Sequence, residues 1–168
     1  MITYKKGSLV DQKGILLHGV NDAQWGAMGA GVAKALFTKW PKVRQYYMVW
    51  AKTNDSPELV MSKWTATYSN PFKLGRLQTI KVEDDVYVTN AVTQSDPGGY
   101  CGLAPIRYQS VEECLMRLKV VQEHLKLPVH TIRLGCGLAG GSWKVIEEII
   151  NRVGVDLTVW DIDDNWNA

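Results

Sequence analysis

"GILLHGVNDAQWGAMGAGVAKALFTKWP", residues 14–41, decides the architecture. Gly14 to Val20 is an apolar run of strand length, apolar enough to be buried on both faces. Gly26, Gly29 and Gly31 then crowd a turn. Behind it Val32, Ala33, Leu36, Phe37 and Trp40 recur at helical spacing, and Pro41 ends that helix or opens the next, PKVRQYYMVWAK at 41–52. A buried strand that turns through glycine into a helix is the unit of an α/β fold with a mixed or largely parallel sheet. Glycine also lets backbone N–H groups converge on an anion, and the amino end of a helix adds a favourable partial charge.

The same unit returns near the other end. VHTIRLG at 129–135 reads as a buried strand, CGLAGGSW at 136–143 as a second glycine turn, and Ser142 as the cap of a helix that turns Ile146, Ile149, Ile150 and Val153 inward. Gly154 closes that helix, and VDLTVWDI at 155–162 is the last strand. MITYKK begins the chain as a strand, and residues 74–81 and 85–93 read as a β-hairpin joined at Glu83–Asp84. Ser110 and Glu113 make a capping box for a helix running to about Leu125. QSDPGGYCGLAP at 94–105 is too long for a plain connection and is a candidate functional loop. Both glycine turns fall at the carboxyl ends of strands, where open α/β sheets bind ligands. One cluster alone would as readily ease a tight turn; two at equivalent positions favour a clamp for a diphosphate.

Composition narrows the classes. The 168 residues, 46% hydrophobic and 21% charged, suit one domain spanning 1–168. The 19 basic and 17 acidic residues give a net charge of +2 and form no basic block, so no nucleic-acid partner is expected. Cys101, Cys114 and Cys136 are odd in number and have no metal-ligand spacing, so no metal is expected and the thiols read as reduced. The start lacks a secretory pattern and no run approaches the ~18 apolar residues of a membrane span, which points to a cytoplasmic protein with no membrane partner. Neither turn has the lysine and hydroxyl of a Walker-type loop. GAMGAG has the wrong glycine order for a dinucleotide fingerprint and leads into two helices, so no cofactor is expected.

KKGSLVDQKGILLHGVNDAQWGAMGAGVAKALFTKWP, with its H-x-x-N (His18, Asn21) and its G-x-G-[IV]-A turn, resembles the first third of a macro domain. RLGCGLAGGSWKVIEEII resembles the second phosphate loop of that family, VDLTVW fits its final strand, and the likeness covers nearly the whole chain. The small, single-domain branch of ADP-ribose 1''-phosphate phosphatases fits best. The resemblance implies a three-layer α/β/α fold with a mixed, largely parallel central sheet, acting as a monomer. It implies ADP-ribose as ligand, with adenosine near Gly7, Ser8 and Leu9 and the distal ribose near Asn21. The diphosphate would lie between Gly29, Ala30, Gly31 and Val32 on one side and Gly135, Cys136, Gly137, Leu138, Ala139, Gly140 and Gly141 on the other. The implied reaction is metal-independent hydrolysis of the phosphomonoester of ADP-ribose 1''-phosphate, with His18, Asn21 and Asp96 as catalytic residues. Such a reaction needs a group to activate water and donors for the leaving and phosphoryl oxygens. Two alternatives stand beside it: a non-catalytic module that reads ADP-ribosyl groups, and a hydrolase that uses bound water to release ADP-ribose from an ADP-ribosylated protein.

Departures from the family sharpen the expectation. Many macro domains carry an aspartate where this chain has Ser8, leaving Asp11 or the backbone of Ser8 and Leu9 to meet the adenine amino group. The positions of the lysine and aspartate of the glycohydrolase type hold Ala91, or a near neighbour, and Ala139, which argues against a covalent lysine mechanism. Cys136 reads as a packing residue, Tyr100 as a lid over the distal ribose, and Trp160, Asp161 and Trp166 as walls of the adenine side. His124 and His130 are given no chemistry.

Overall fold

The structure is a computed structural model that describes residues 1–23, 31–56, 70–95, 105–136 and 140–161. Its strands are β1 Ile2–Lys6, β2 Gly14–Asn21, β3 Leu77–Glu83, β4 Val86–Gln94, β5 Val129–Thr131 and β6 Leu157–Asp161. They form one sheet in the order β1-β6-β5-β2-β4-β3. Every neighbouring pair is parallel except β3 and β4, which are antiparallel. The mixed, largely parallel sheet is the one the sequence leads one to expect.

Side chains alternate along a strand, and β2 feeds both faces accordingly. Ile15 and Leu17 join a core under helices α3 (Tyr108–Leu125) and α4 (Trp143–Val153), with Leu115, Leu118, Ile146 and Ile150. Leu16 and Val20 join a second core under α1 (Gly31–Lys39) and α2 (Lys42–Thr53), with Leu36, Val43, Tyr47 and Trp50. These are the three layers of an α/β/α fold. No described helix is long and apolar enough to cross a membrane.

Four local readings change. The helix assigned a capping box begins at Tyr108 instead, so Ser110 lies inside its first turn and is buried. The cause is a bridge: Gln94 pairs with Ile106 and the Arg107 N–H donates to Thr93 O at 3.0 Å, which keeps the chain extended up to the helix. Ser142 does take the cap position of α4, but its side chain makes no capping bond; its N–H donates to the Tyr108 hydroxyl at 2.9 Å. The strand read to residue 135 stops at Thr131, where its pairing with β2 and β6 ends, and the chain turns through a Leu134 N–H to Ile132 O bond of 2.7 Å. The hairpin turns at Asp84–Asp85 instead of Glu83–Asp84, with Asp85 at φ 59°.

Candidate functional site

The carboxyl end of β2 is shaped by an irregularity. Val20 pairs with Val92 but Asn21 with Gln94, so Thr93 is the extra residue on β4. Asn21 is buried, and its side-chain oxygen accepts the Ala23 N–H at 2.9 Å, a local turn that points the chain away from the sheet. The Tyr47 hydroxyl donates to Asn21 O at 3.0 Å and stands 3.4 Å from its Oδ1. Burial, and then the charge of Asp22, raise the pKa of that hydroxyl against the opposing pull of Arg44, so it stays a donor.

His18 lies three residues deeper, with no exposed surface, in a row of polar side chains that crosses the sheet beneath α2. Its Nε2 lies 2.5 Å from Asn90 Oδ1, Asn90 Nδ2 donates to Gln78 Oε1 at 2.9 Å, and Gln78 Nε2 donates to Tyr46 O at 2.9 Å. Since the Asn90 oxygen only accepts, His18 Nε2 carries the proton and Nδ1 is left with a lone pair that has no partner among the described residues. Burial lowers the pKa of the ring to about 4, with the Asn90 bond opposing the shift. His18, expected to be catalytic, is thus a buried neutral imidazole whose Nε2 is committed to Asn90. Asn90 and Gln78 escaped the sequence reading, although each is a polar residue inside an apolar strand run. Thr93 Oγ1, also buried without a partner among the described residues, lies 2.5 Å from where a Cβ on Gly19 would stand.

The two glycine turns differ in how they are filled. Gly31 opens α1 at φ 60°, and a Cβ there would meet nothing within 4 Å among the described residues; Val32 follows, packed against the α1–α2 core. At the second turn a Cβ on Gly135 (φ 76°) would stand 2.5 Å from Ile106 Cδ1, and one on Gly141 would stand 2.5 Å from Gly135 O. The Gly141 N–H donates to that same oxygen at 2.6 Å, closing the neck of the loop. Gly140 is exposed at φ 71°. Cys136 is half-buried, and burial pushes its thiol pKa up against the pull of Arg133, which keeps it protonated. Asp96, Gly29, Ala30, Gly137, Leu138, Ala139, Tyr100 and Trp166 lie outside the described residues.

At the β1 end, Gly7 (φ 149°) passes over Trp160, two of whose ring atoms lie 3.0 Å from where its Cβ would stand, and its N–H donates to Asp161 O at 3.0 Å. Ser8 is exposed and leads into a single 3-10 turn, Leu9–Asp11. Leu9 turns its side chain into the α1–α2 core, so only its backbone is left to meet a ligand. Trp160 donates from Nε1 to His130 Nδ1 at 3.0 Å. One pair was missed altogether: Arg133 donates from Nε and Nη2 to the two oxygens of Asp161, both at 3.0 Å, across the ends of β5 and β6. The guanidinium sits 5.2 Å from the Tyr4 ring centre and 5.7 Å from that of Trp143. A charge at the end of each of two apolar strand runs was the available signal. Among the described residues no three His, Cys, Asp or Glu side chains converge on a metal position.

No protein-family profile matches the chain. An uncharacterized 17.5 kDa protein of the tk-vs intergenic region of Enterobacteria phage T4 is 26% identical over 169 residues, covering 97% of this chain and 96% of that protein. A structure from Bacteroides thetaiotaomicron, of a protein of unknown function, is 33% identical with a TM-score of 0.79, covering 96% of this chain and 98% of that one. The macrodomain protein of Streptomyces coelicolor is 28% identical with a TM-score of 0.71, over 96% of this chain and 99% of that one. The chain belongs to the macro domain family. This macro domain also shares its fold with Thermosipho africanus DarTG, solved in complex with ADP-ribose, at 15% identity and a TM-score of 0.67, with 99% of this chain lying over 44% of that one.

Proposed function

We propose that this macro domain binds ADP-ribose or an ADP-ribosyl derivative at the carboxyl ends of its strands, and that it hydrolyses ADP-ribose 1''-phosphate to ADP-ribose and phosphate. The observation that carries the ligand is Gly31. Its positive φ and its empty Cβ position leave the amino end of α1 open to an anion. The ADP-ribose held by the DarTG structure, on the same fold, supports that ligand. In the reaction Asn21 and Asp96 stand at the reacting end, with Asp96 orienting the attacking water and the glycine-turn N–H groups taking charge from the phosphoryl oxygens. His18, hydrogen-bonded to Asn90 through Nε2, serves the same reacting end from three residues back along β2. Binding without turnover is the second reading, favoured because His18 is sealed from solvent and burial keeps the Cys136 thiol protonated.

Phosphate release from ADP-ribose 1''-phosphate, measured beside calorimetric titration with ADP-ribose, separates the readings. The phosphatase releases phosphate, and Asp96→Asn abolishes release while still binding. Binding without release by the unaltered protein makes it a reader, and failure to bind ADP-ribose overturns the ligand.

A further inference from the structure

Helix α2 delivers one hydroxyl to the end of β2. Tyr47 has no exposed surface, and Phe72 meets its ring edge-on with 5.6 Å between ring centres. Phe72 meets Trp50 in the same way at 5.1 Å and is tied down in turn, its N–H donating to Asn54 Oδ1 at 2.7 Å. Trp50 donates from Nε1 to Asn70 O at 2.7 Å. A ring packed on that side cannot swing without moving its neighbours, so its hydroxyl is fixed in place. The place is Asn21, whose backbone oxygen accepts from the hydroxyl at 3.0 Å and whose Oδ1 stands 3.4 Å from it. We infer that Tyr47 is a positioning residue of the ligand site, holding Asn21 so that its amide nitrogen is the donor offered to the distal end of ADP-ribose. The inference rests on the reading that Asn21 stands at the reacting end.

The hydrogen bonds fix which end of the Asn21 amide is which. A backbone N–H only donates, so the atom that meets the Ala23 N–H at 2.9 Å is the amide oxygen. The Tyr47 hydroxyl is a second donor facing that oxygen, and it opposes a flip that would turn Nδ2 against the Ala23 N–H, donor against donor. What Asn21 carries on its other side is Nδ2, which only donates. The hydroxyl itself remains a donor, because burial and then the Asp22 carboxylate raise its pKa, with Arg44 opposing.

Tyr47 matters because strand pairing restrains Asn21 from one side only. β5 pairs with β2 from Ile15–Val129 to Leu17–Thr131, so Asn21 lies past the end of that ladder. On the β4 side it stands beyond an irregularity, with Val20 opposite Val92 and Asn21 opposite Gln94. The bond from α2 therefore supplies a restraint that the sheet does not. A donor at this point suits the acceptor oxygens of the distal ribose and of a phosphate carried on it. Nothing in the sequence announces the role, since Tyr47 reads as one more inward residue of α2 beside Val43, Trp50 and Ala51.

The test is calorimetric titration of ADP-ribose, and of ADP, which lacks the distal ribose, into the unaltered protein, Tyr47→Phe, Asn21→Ala and the double variant. The unaltered protein prefers ADP-ribose to ADP. Tyr47→Phe removes one oxygen atom and weakens ADP-ribose by about tenfold, while ADP binds as before. A merely structural role would weaken both ligands alike. Asn21→Ala loses the same preference, and adding Tyr47→Phe to it loses nothing more, because the two residues act as a unit. Circular dichroism melts check each fold. If Tyr47→Phe does not fold, nuclear magnetic resonance of the unaltered protein carries the test. ADP-ribose, but not ADP, then shifts the Asn21 side-chain amide protons, and the Tyr47 hydroxyl proton exchanges slowly and lies close to the Ala23 amide proton. The inference alone is overturned by equal affinity of the unaltered protein for the two ligands, by equal loss of both in Tyr47→Phe or loss of neither, or by a further loss in the double variant. Unshifted amide protons or a fast-exchanging hydroxyl overturn it as well. Failure of the unaltered protein to bind ADP-ribose overturns the ligand reading and the inference together.

Discussion

A methyl group added at Gly141 would run into the carbonyl oxygen of Gly135, whereas one added at Gly31 would meet open space among the described residues. The second glycine turn is drawn shut by its own backbone and backed by Ile106 and Ile146; the first ends in a helix whose opening residue is uncovered. In sequence the two are alike: a buried strand, a cluster of glycines, a helix. They teach that glycine serves close packing at one turn and access at the other, and that spacing alone cannot tell which.

Gly141→Ala gives the largest effect. Backbone is what the new methyl group meets, and backbone cannot rotate aside, so we expect a loss of about 3 kcal/mol in urea unfolding. A nearly neutral Gly141→Ala would mean that the second turn yields, and the contrast between the turns would fail. The strand leading to the first turn offers a sharper test, through His18. Its pKa in the fold is about 4 against an ordinary 6.5, so the stability it contributes is complete above pH 6.5 and drains away as the pH falls towards 4. The loss is on the order of 2 to 3 kcal/mol by pH 4, and His18→Gln, which keeps a donor for Asn90, flattens the profile in that window. An unchanged profile would show that the ring is not sealed. Gly31→Ala gives the smallest change in stability, about 1 kcal/mol for a side chain in the left-handed region. Its effect falls on binding: ADP-ribose affinity in calorimetry drops by about tenfold or more as the methyl group takes the anion's place. Equal affinity in the two proteins would place the anion elsewhere.

Much of the scaffold was legible because it rests on period and punctuation. Ile15, Leu16 and Leu17 announce a strand buried on both faces, and Ile146, Ile149 and Ile150 a helix with one apolar side. Ser110 misled because local capping chemistry lost to a tertiary bridge between Gln94 and Ile106, which no nearby residue encodes. The site was legible in its backbone and obscure in its side chains. Gly7, Gly31 and Gly135 do have positive φ. The partners of His18, however, depend on register, which sets Asn90 and Gln78 beside it from strands some 60 to 70 residues away in the chain. Likewise Arg133 and Asp161 meet only because β5 and β6 are neighbours.

The pairing of the first strand with the last has a mechanical side. β1 and β6 run parallel over five paired positions, Ile2 with Leu157 to Lys6 with Asp161. The chain therefore enters this pair at one end of the sheet and leaves it at the other. A force drawing Met1 and Asp161 apart acts along both strands in opposite directions, so the bonds between them are loaded together in shear and cannot be unzipped one at a time.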